Sequence, residues 1–356
     1  MDSSVGLFLH CRLGFEGECA AEIATVARAI GVDGYCKAKP ESAYVVFQTT
    51  DLESALRVHT EIVFTSLVFA RQWFVMLGLG RELPVTDRVS GLVAGFSGWT
   101  KGATELVIET PDTNEAKELS ALCRTIEKPL ENQLRKAGLL KADGREKWRA
   151  HVCFMSGNAA YYGVSALNNS SAWKMGIPRL RFPSAAPSRS ALKLEEAFLA
   201  FLTPSEQDRA FRTGMRAVDL GAAPGGWTWQ LVHRGLYVAA VDNGPMDERL
   251  MAGGGVEHIR ADGFHFRPPA PVEWMVCDIA EKPRRVAGLM AEWLVEGWCQ
   301  RTIFNLKLPM KKRYQEVELC LGAVREHLHE AGMHRVVRCK QLYHDREEVT
   351  VYVGPH

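Results

Sequence analysis

The sequence predicts a two-domain α/β protein, with an α+β first half and a mostly parallel, helix-flanked sheet in the second half. Three observations support this fold class. The chain has 356 residues, enough for two domains. Strand-like and helix-like segments alternate after residue 190, which is typical of a parallel sheet with helices on both faces. Between the halves, residues 168–189 are rich in proline and arginine. We therefore expect domains at 1–167 and 190–356, joined by a linker at 168–189.

In the first half, apolar alternation and length predict five short strands, at 6–11, 43–48, 67–75, 105–109 and 151–155. An alanine-rich helix is expected at 18–29. Two further helical segments, 116–128 and 130–137, should form a helix broken near Pro129, because proline has no N–H to donate within a helix.

The second half begins with a helix at 192–202, where apolar residues recur at helical spacing. Strands are expected at 215–220, 237–241, 256–260, 274–277, 302–308, 335–339 and 349–353, and the clearest helices between them are 284–298 and 314–330. The last two strands are too close in sequence for a crossover helix. They should form a hairpin that places an antiparallel strand in the sheet.

Composition limits the class of protein. The apolar fraction is 47%, the charged fraction is 24% and the net charge is +1, so any nucleic-acid surface must be a local patch. The nine cysteines include no Cys-x-x-Cys pair, which indicates neither a metal site nor a disulfide framework and favours a reducing cytoplasm. We recognise no signal peptide and no membrane span.

The most informative motif is Asp219-Leu-Gly-Ala-Ala-Pro-Gly-Gly-Trp227, which lies between a predicted strand and a helix. Such a turn is the usual entrance to a nucleotide site, and its glycines allow a tight bend and a close approach of ligand to backbone. The spacing matches neither the dinucleotide pattern nor a phosphate-binding P-loop. Pro224 also removes an amide that a pyrophosphate would need. An adenosine ligand without phosphates fits better, and S-adenosylmethionine is the common one.

Aspartates stand at or near the ends of four successive predicted strands. They are Asp219, Asp242, Asp262 and Asp278. Each alone could be a turn former, but four in register indicate a ligand site at the carboxyl edge of the sheet. Asp242 lies 23 positions after Asp219, where a ribose-binding acid is expected, and Asp262 is placed to accept from an adenine amino group.

Three more charged residues are expected at the same edge. Lys307 ends an apolar strand, Lys193 lies early in the helix before the glycine motif, and Glu348 opens the last strand. Individually these are typical of solvated surface charges. With Asp278 they form a Lys–Asp–Lys–Glu set, although Glu347 is adjacent to Glu348 and could take its place.

On the basis of these four residues, the second half resembles the FtsJ-like ribose 2′-O-methyltransferases. Members of that family carry a Lys–Asp–Lys–Glu tetrad on a Rossmann-like class I sheet. Nearly the whole chain resembles the bacterial RlmM family, whose members methylate a cytidine ribose in 23S ribosomal RNA. The matching stretches are 15–22 (FEGECAAE), 70–74 (ARQWF), 187–197 (PSRSALKLEEA), 241–245 (VDNGP), 305–314 (NLKLPMKKRY) and 341–350 (QLYHDREEVT). The resemblance implies an N-terminal ferredoxin-like and THUMP domain that binds RNA.

The resemblance also implies roles for individual residues. Lys307 would accept the proton of the ribose hydroxyl, with Lys193, Asp278 and Glu348 completing the tetrad. S-adenosylmethionine would be held by Ser190, Gly221, Ala223, Pro224, Gly225, Gly226, Asp242, Asp262 and Asp278, with no metal. The partner would be 23S ribosomal RNA or a large-subunit assembly precursor, with no membrane, and we expect a monomer in the cytoplasm.

Two expectations concern the chemistry around Lys307. A lysine can accept a proton only when neutral, so we expect burial or the nearby Lys193 cation to lower its pKa. RNA phosphates could be held by the arginines of residues 179–189 and by the basic stretch Lys307, Lys311, Lys312 and Arg313. A splayed base could stack on Tyr314, Tyr343 or His344.

Other functions stay open at this stage. A base-methylating enzyme is the nearest alternative, but residues 278–281 read Asp-Ile-Ala-Glu rather than an Asn/Asp-Pro-Pro-aromatic turn. Cys277 could supply a thiolate nucleophile, although strand alternation points it into the core. A ribosome-assembly factor with a residual cofactor site is an alternative of a different class. The glycine spacing disfavours a nicotinamide dehydrogenase.

Overall fold

A computed structural model describes residues 5–141 and 147–355. The chain divides into two units, Met1–Pro178 and Arg179–His356. The division falls within the segment predicted as a linker, but the first part of that segment is hydrogen-bonded into the first unit. The Asn169 side-chain amide donates to the carbonyl oxygens of His59 (2.6 Å) and Ile62 (2.9 Å), and Gln72 donates to the Ser171 carbonyl (2.9 Å).

The first unit contains a seven-stranded sheet in the order β2-β3-β1-β4-β7-β6-β5. Only the β5–β6 pair is parallel among the strand pairs described. The strands are β1 Gly6–His10, β2 Gly34–Lys37, β3 Tyr44–Thr49, β4 Gln72–Gly80, β5 Glu105–Glu109, β6 Trp148–Ser156 and β7 Ala159–Ala166. The α-helices are α1 Glu16–Ala29, α2 Leu52–Glu61, α3 Arg88–Phe96 and α4 Ser120–Lys136.

Two predictions for this unit were wrong. Helix α4 is continuous through Pro129. Pro129 and Thr125 lie on the exposed face, where water can satisfy the carbonyl that lacks a partner, while Ile126, Leu130 and Leu134 bury the other face. Strand β4 begins at Gln72 rather than at residue 67. The buried Glu22 carboxylate accepts the amides of Val68 (2.5 Å) and Phe69 (3.0 Å), so these residues are bound by a side chain instead of a strand.

The second unit confirms the predicted α/β class. Its sheet has the order β10-β9-β8-β11-β12-β14-β13. The strands are β8 Arg216–Leu220, β9 Tyr237–Val241, β10 Val256–Ile259, β11 Val272–Cys277, β12 Cys299–Lys307, β13 Val336–Lys340 and β14 Glu348–Gly354. Strands β8 to β12 pair in parallel, and β14 is antiparallel to both β12 and β13. The predicted hairpin is therefore present, with its last strand inserted beside β12.

Six helices accompany this sheet in the part of the chain described. They are α5 Ala191–Phe201, α6 Pro204–Ala210, α7 Gly226–His233, α8 Glu248–Ala252, α9 Pro283–Val295 and α10 Arg313–Glu330. Apolar residues of α5 and α7 pack with Trp274 and Tyr352 in one core cluster. The buried Trp274 ring stacks on Phe211 with a centroid separation of 5.0 Å. None of the described helices is long and apolar enough to span a membrane.

Candidate active site

The turn after β8 requires glycine. Gly221 has φ 78° and Gly225 has φ 116°, a region that side chains with Cβ rarely adopt. A Cβ on Gly221 would lie 2.9 Å from Ile279 Cγ1, and one on Gly226 would lie 2.2 Å from Ser190 Oγ. The glycines therefore let β8, β11 and the start of α5 approach one another, and α7 begins at Gly226.

Asp219 holds this turn rather than lining a cavity, which corrects the expectation of four ligand-facing aspartates. Its carboxylate is buried and accepts a hydrogen bond from the Thr228 hydroxyl at 2.6 Å, tying α7 to β8. Burial raises the Asp219 pKa to about 7, because the ionised carboxylate is poorly solvated there.

The other three aspartates border a cavity of about 460 Å³ at the carboxyl edge of the sheet. Asp242 accepts the amides of Ala223 (3.0 Å) and Gly244 (2.7 Å). Asp262 is exposed and accepts the Phe264 amide at 2.9 Å, a bond that lowers its pKa. The described lining residues include no lysine or arginine; they are Gly221, Ala223, Val241, Asp242, Asn243, Ala261, Asp262, Gly263, Phe264, Asp278, Ile279 and Ala280.

Four of the residues expected to bind a cofactor lie outside that lining. Pro224, Gly225 and Gly226 form the turn behind the cavity, and Gly225 faces Leu250 and Met246. Ser190 lies across from Gly226 and instead borders a second, larger cavity. Pro224, Gly225 and Gly226 therefore shape the turn, while Gly221, Ala223, Asp242, Asp262 and Asp278 face the smaller cavity.

The structure brings the four predicted tetrad residues together. Lys307 Nζ lies 2.7 Å from Asp278 Oδ1 and also donates to Glu348, its register partner on β14. Lys193 Nζ donates to the other oxygen of Glu348 and lies 3.5 Å from Asp278 Oδ2. Two lysines and two carboxylates thus alternate around one point.

The neighbouring glutamate lies elsewhere. Glu347 is 68% exposed in its side chain and pairs with Arg313 at 2.9 Å, whereas Glu348 is buried. The geometry therefore puts Glu348 in the cluster, as strand alternation along β14 predicts.

The electrostatics of Lys307 differ from our expectation. Burial lowers its pKa, but the carboxylates of Asp278 and Glu348 raise it by more, and the net pKa lies above that of an ordinary lysine. The expected lowering by Lys193 is not seen, because two anions contact the Lys307 ammonium. Cys277 is buried, and burial raises its thiol pKa to about 12, so it is no thiolate nucleophile here.

A series of buried, hydrogen-bonded polar side chains lies behind the cluster, and the sequence analysis did not identify it. The Asn305 amide donates to Asp278 Oδ1 at 2.9 Å and accepts from the Thr350 hydroxyl at 2.8 Å. Thr350 in turn contacts Asp345, whose pKa burial raises well above the usual range. Strand alternation could have indicated these residues, because side chains two positions apart lie on the same face of a strand. Asn305 precedes Lys307 by two on β12, and Thr350 follows Glu348 by two on β14.

The second cavity, of about 920 Å³, opens on the other side of the cluster. It is lined by Leu180, Phe182, Arg189, Ser190, Leu192, Lys193, Lys307, Tyr343, His344, Arg346, Glu347 and Glu348. Of the groups expected to hold phosphates or bases, Arg189, Lys307, Tyr343 and His344 are present. The other candidates do not line it: Arg179, Arg181, Lys311, Lys312, Arg313 and Tyr314.

Three family models match the chain. They are the RlmM ferredoxin-like domain at residues 4–74, the N-terminal domain of ribosomal RNA large subunit methyltransferase M at 87–166, and the FtsJ-like methyltransferase at 186–353. Among curated proteins, ribosomal RNA large subunit methyltransferase M of Cellvibrio japonicus is 53% identical over 98% of this chain and 98% of its own. The enzyme of the same name from Shewanella frigidimarina is also 53% identical, over 98% of this chain and 96% of its own.

Likeness to solved structures is looser. The crystal structure of TrmN from Thermus thermophilus aligns over 98% of this chain and 99% of its own, with 16% identity and a TM-score of 0.35.

Proposed function

Because the chain belongs to the ribosomal RNA large subunit methyltransferase M family, we propose that it transfers a methyl group from S-adenosylmethionine to a cytidine ribose 2′-hydroxyl in 23S ribosomal RNA. One observation carries the proposal: the Lys193–Asp278–Lys307–Glu348 cluster lies between two cavities. Asp278 borders the smaller, and the other three border the larger. The N-terminal domain, which we assign to residues 1–167, is proposed to bind the RNA through its ferredoxin-like and THUMP parts.

The smaller cavity suits S-adenosylmethionine. Its charged lining residues are three aspartates, which favour a cationic sulfonium and disfavour a ligand with phosphates. Asp242, already oriented by two backbone amides, would bind the ribose hydroxyls, and Asp262 would accept from the adenine amino group. When bound, the cofactor supplies an electrophilic methyl group on a sulfonium.

The chain's own residues would position and deprotonate the RNA hydroxyl. A target ribose in the larger cavity would lie beside Lys307, which would accept the hydroxyl proton as the oxygen bonds to the methyl carbon and the methyl–sulfur bond breaks. Glu348 and Asp278 fix the Lys307 ammonium and orient its lone pair after proton loss. Lys193 offsets the negative charge of the two carboxylates. Alignment of the reacting atoms can contribute roughly 7–11 kcal/mol.

The alternatives gain no support. The turn after β11 reads Asp278-Ile-Ala-Glu281, and Cys277 is buried, so neither amino nor carbon-5 base methylation has its expected group. A residual, non-catalytic cofactor site would not need the contacts that join Lys193, Lys307 and the two carboxylates. We retain the ribose 2′-hydroxyl as the acceptor.

The product distinguishes ribose from base methylation. The protein is incubated with methyl-labelled cofactor and 23S RNA, and the RNA is hydrolysed in alkali. A 2′-O-methyl group blocks cleavage of its own phosphodiester, so label should appear in an alkali-resistant dinucleotide that begins with cytidine. Label recovered in mononucleotides would identify a base methyltransferase, and no incorporation would favour the non-catalytic alternative.

The cofactor assignment has its own test. The Asp242→Ala variant loses a charge-assisted hydrogen bond, so its affinity for S-adenosylmethionine should fall by roughly 1.5–3 kcal/mol in calorimetry. Asp247→Ala, which removes only the cap of α8 nearby, is the matched control and should bind normally. Unchanged affinity in the Asp242 variant would move the ribose site elsewhere.

A further inference from the structure

A buried carboxylate holds the loop after β13 against α5. Glu196 of α5 is 3% exposed in its side chain. It accepts the backbone amides of Tyr343 at 2.7 Å and His344 at 2.9 Å. Its Oε2 also lies 2.6 Å from Nδ1 of the His344 ring. The proposed methyl transfer uses none of these contacts, and their only evident result is to fix the position and rotation of one imidazole.

The carboxylate also fixes the tautomer of that imidazole. A carboxylate oxygen only accepts, so the ring must carry its proton on Nδ1, where it donates to Glu196. In the neutral ring the other nitrogen, Nε2, then carries a lone pair. Glu196 therefore turns His344 into a hydrogen-bond acceptor at its Nε2 edge.

The His344 residue that carries this acceptor borders a cavity rich in donors. His344 lines the larger cavity together with Arg189, Lys193, Lys307 and Arg346. The carboxylates there are engaged, Glu348 by Lys193 and Lys307 and Glu347 by Arg313. An Nε2 lone pair offers no hydrogen bond to a phosphate oxygen, which also only accepts. It suits a ligand group that donates, such as an exocyclic amino group of a nucleobase.

The spacing from the catalytic cluster fits a single nucleotide. Lys193 and Glu196 are three residues apart on α5, so their Cβ atoms are separated by about 5–6 Å along one helix face. Lys193 contacts the tetrad carboxylates, and Glu196 contacts His344. A ribose held at the tetrad would have its own base, rather than a distant one, within reach of the imidazole.

We propose that His344 Nε2 accepts a hydrogen bond from the N4 amino group of the target cytosine and so selects cytidine over uridine. Glu196 is the positioning residue that fixes the required tautomer. Uridine presents a carbonyl at the same position, which would face the His344 lone pair without a proton between them. This inference rests on the proposed ribose methylation and adds the origin of its base preference.

The first test compares two RNAs that differ only in cytidine or uridine at the methylated position. The wild-type kcat/KM should favour the cytidine RNA about tenfold or more, since a site built around a donor rejects an analogue lacking it. In the His344→Ala variant the preference should fall to near one, because activity on the cytidine RNA drops while activity on the uridine RNA stays nearly unchanged. Calorimetric binding of S-adenosylmethionine confirms that the variant is folded.

The second test inverts the tautomer. In Glu196→Gln, the amide oxygen in the place of Oε1 still accepts the Tyr343 amide. The NH2 in the place of Oε2 gives up the bond to the His344 amide and donates to His344 Nδ1, so the imidazole proton moves to Nε2. The variant should then prefer the uridine RNA, whose carbonyl accepts from Nε2–H. A loss of folding alone would lower both rates equally. His327→Gln, an exposed imidazole on α10, is the control and should keep the wild-type ratio.

An unchanged cytidine preference in His344→Ala would overturn the inference. So would an equal loss on both RNAs, which would indicate a contact with the RNA backbone instead. If the wild-type protein methylates no ribose in either RNA, the proposed function itself fails. A wild-type protein that methylates ribose without discriminating the two bases leaves the proposed function intact and overturns only the role of His344.

Discussion

Lys307 combines two properties that oppose each other. It contacts the carboxylates of Asp278 and Glu348, which fix its position at the junction of the two cavities. The same contacts raise its pKa, so at neutral pH the neutral amine is scarce. At an ordinary lysine pKa of about 10.4, roughly one molecule in a thousand is neutral near pH 7.4, and a higher pKa makes it rarer. The contacts that place Lys307 therefore also reduce the fraction of neutral amine that can accept a proton.

Replacing Lys307 by arginine tests its role as the base. The guanidinium keeps the positive charge but stays protonated at any working pH, so it cannot accept the hydroxyl proton. The single-turnover rate of methyl transfer should fall by about 10²–10⁴, while cofactor binding stays near normal. Lys282→Arg, an exposed lysine at the start of α9, is the control. A Lys307→Arg enzyme with near-normal turnover would show that the proton leaves by another route.

The raised Lys307 pKa also fixes the shape of the pH profile. Activity requires loss of a proton from a group whose pKa lies above the ordinary value, so the rate must increase with pH. The single-turnover rate should rise about tenfold per pH unit from pH 6 to 9 and reach no plateau below the ordinary lysine pKa of about 10.4. A plateau below pH 8 would contradict this and show that bound substrates lower the Lys307 pKa.

Among the residues of the site, the sequence indicates the charged side chains at strand ends. It does not indicate the buried side chains that orient them. Lys307, Asp278 and Glu348 could be found because they stand together at predicted strand ends and match the Lys–Asp–Lys–Glu tetrad that the resemblance implies. Glu196, Asn305 and Asp345 could not, since their role depends on which buried groups meet across elements distant in sequence. Likewise, the sign of the Lys307 pKa shift depends on two anions at contact distance, which no spacing in the sequence gives.

At the scale of elements, the glycine turn joins β8 to α7 and contacts α8 through Gly225, while its residues Gly221 and Ala223 border the smaller cavity. Gly225 has φ 116°, and a Cβ there would lie 2.5 Å from Leu250 Cδ2 of α8. Gly225→Ala should therefore lower the free energy of unfolding by about 1–3 kcal/mol and weaken cofactor binding, measured by denaturant unfolding and calorimetry. Gly253→Ala is the control, because Gly253 has φ −71° and a Cβ there would lie 3.5 Å from its nearest atom, the Leu250 carbonyl oxygen. Its free energy of unfolding should change by no more than about 0.5 kcal/mol. Equal effects in both variants would contradict the argument from backbone strain.

Strands and helices of the second unit were easier to predict than those of the first. Buried parallel strands are nearly continuous apolar runs, and β9 spans the residues predicted for it. In the first unit, β2 is mostly exposed and carries no apolar alternation, and it went unpredicted with α2, α3 and β7. The helix break predicted at Pro129 was wrong because the effect of a proline depends on whether the carbonyl four residues before it can reach water. The sequence alone does not show whether that carbonyl is exposed.

At the scale of the whole molecule, the cofactor and the RNA are proposed to depend on different units. Residues 179–356 carry 24 lysines and arginines and 22 aspartates and glutamates, a net charge of 24 − 22 = +2. Phosphate contacts dominate the affinity of most RNA-binding surfaces, and basic groups exceed acidic groups by only two in this unit. We therefore propose that specific capture of a long RNA also needs the N-terminal unit, which matches the two N-terminal domain models of the family.

Expressing residues 179–356 alone should separate the two activities. The fragment contains the glycine turn, both cavities and the complete Lys–Asp–Lys–Glu cluster, so it should bind S-adenosylmethionine with the affinity of the full chain. Methylation of 23S RNA should fall mainly through a higher KM, because the catalytic residues are all present but the RNA is bound weakly.

Circular dichroism and calorimetry establish that the fragment is folded. A filter-binding assay should show that the full chain binds RNA more tightly than the fragment does. Full activity of the fragment on 23S RNA at low RNA concentration would show instead that the catalytic unit recognises its substrate unaided.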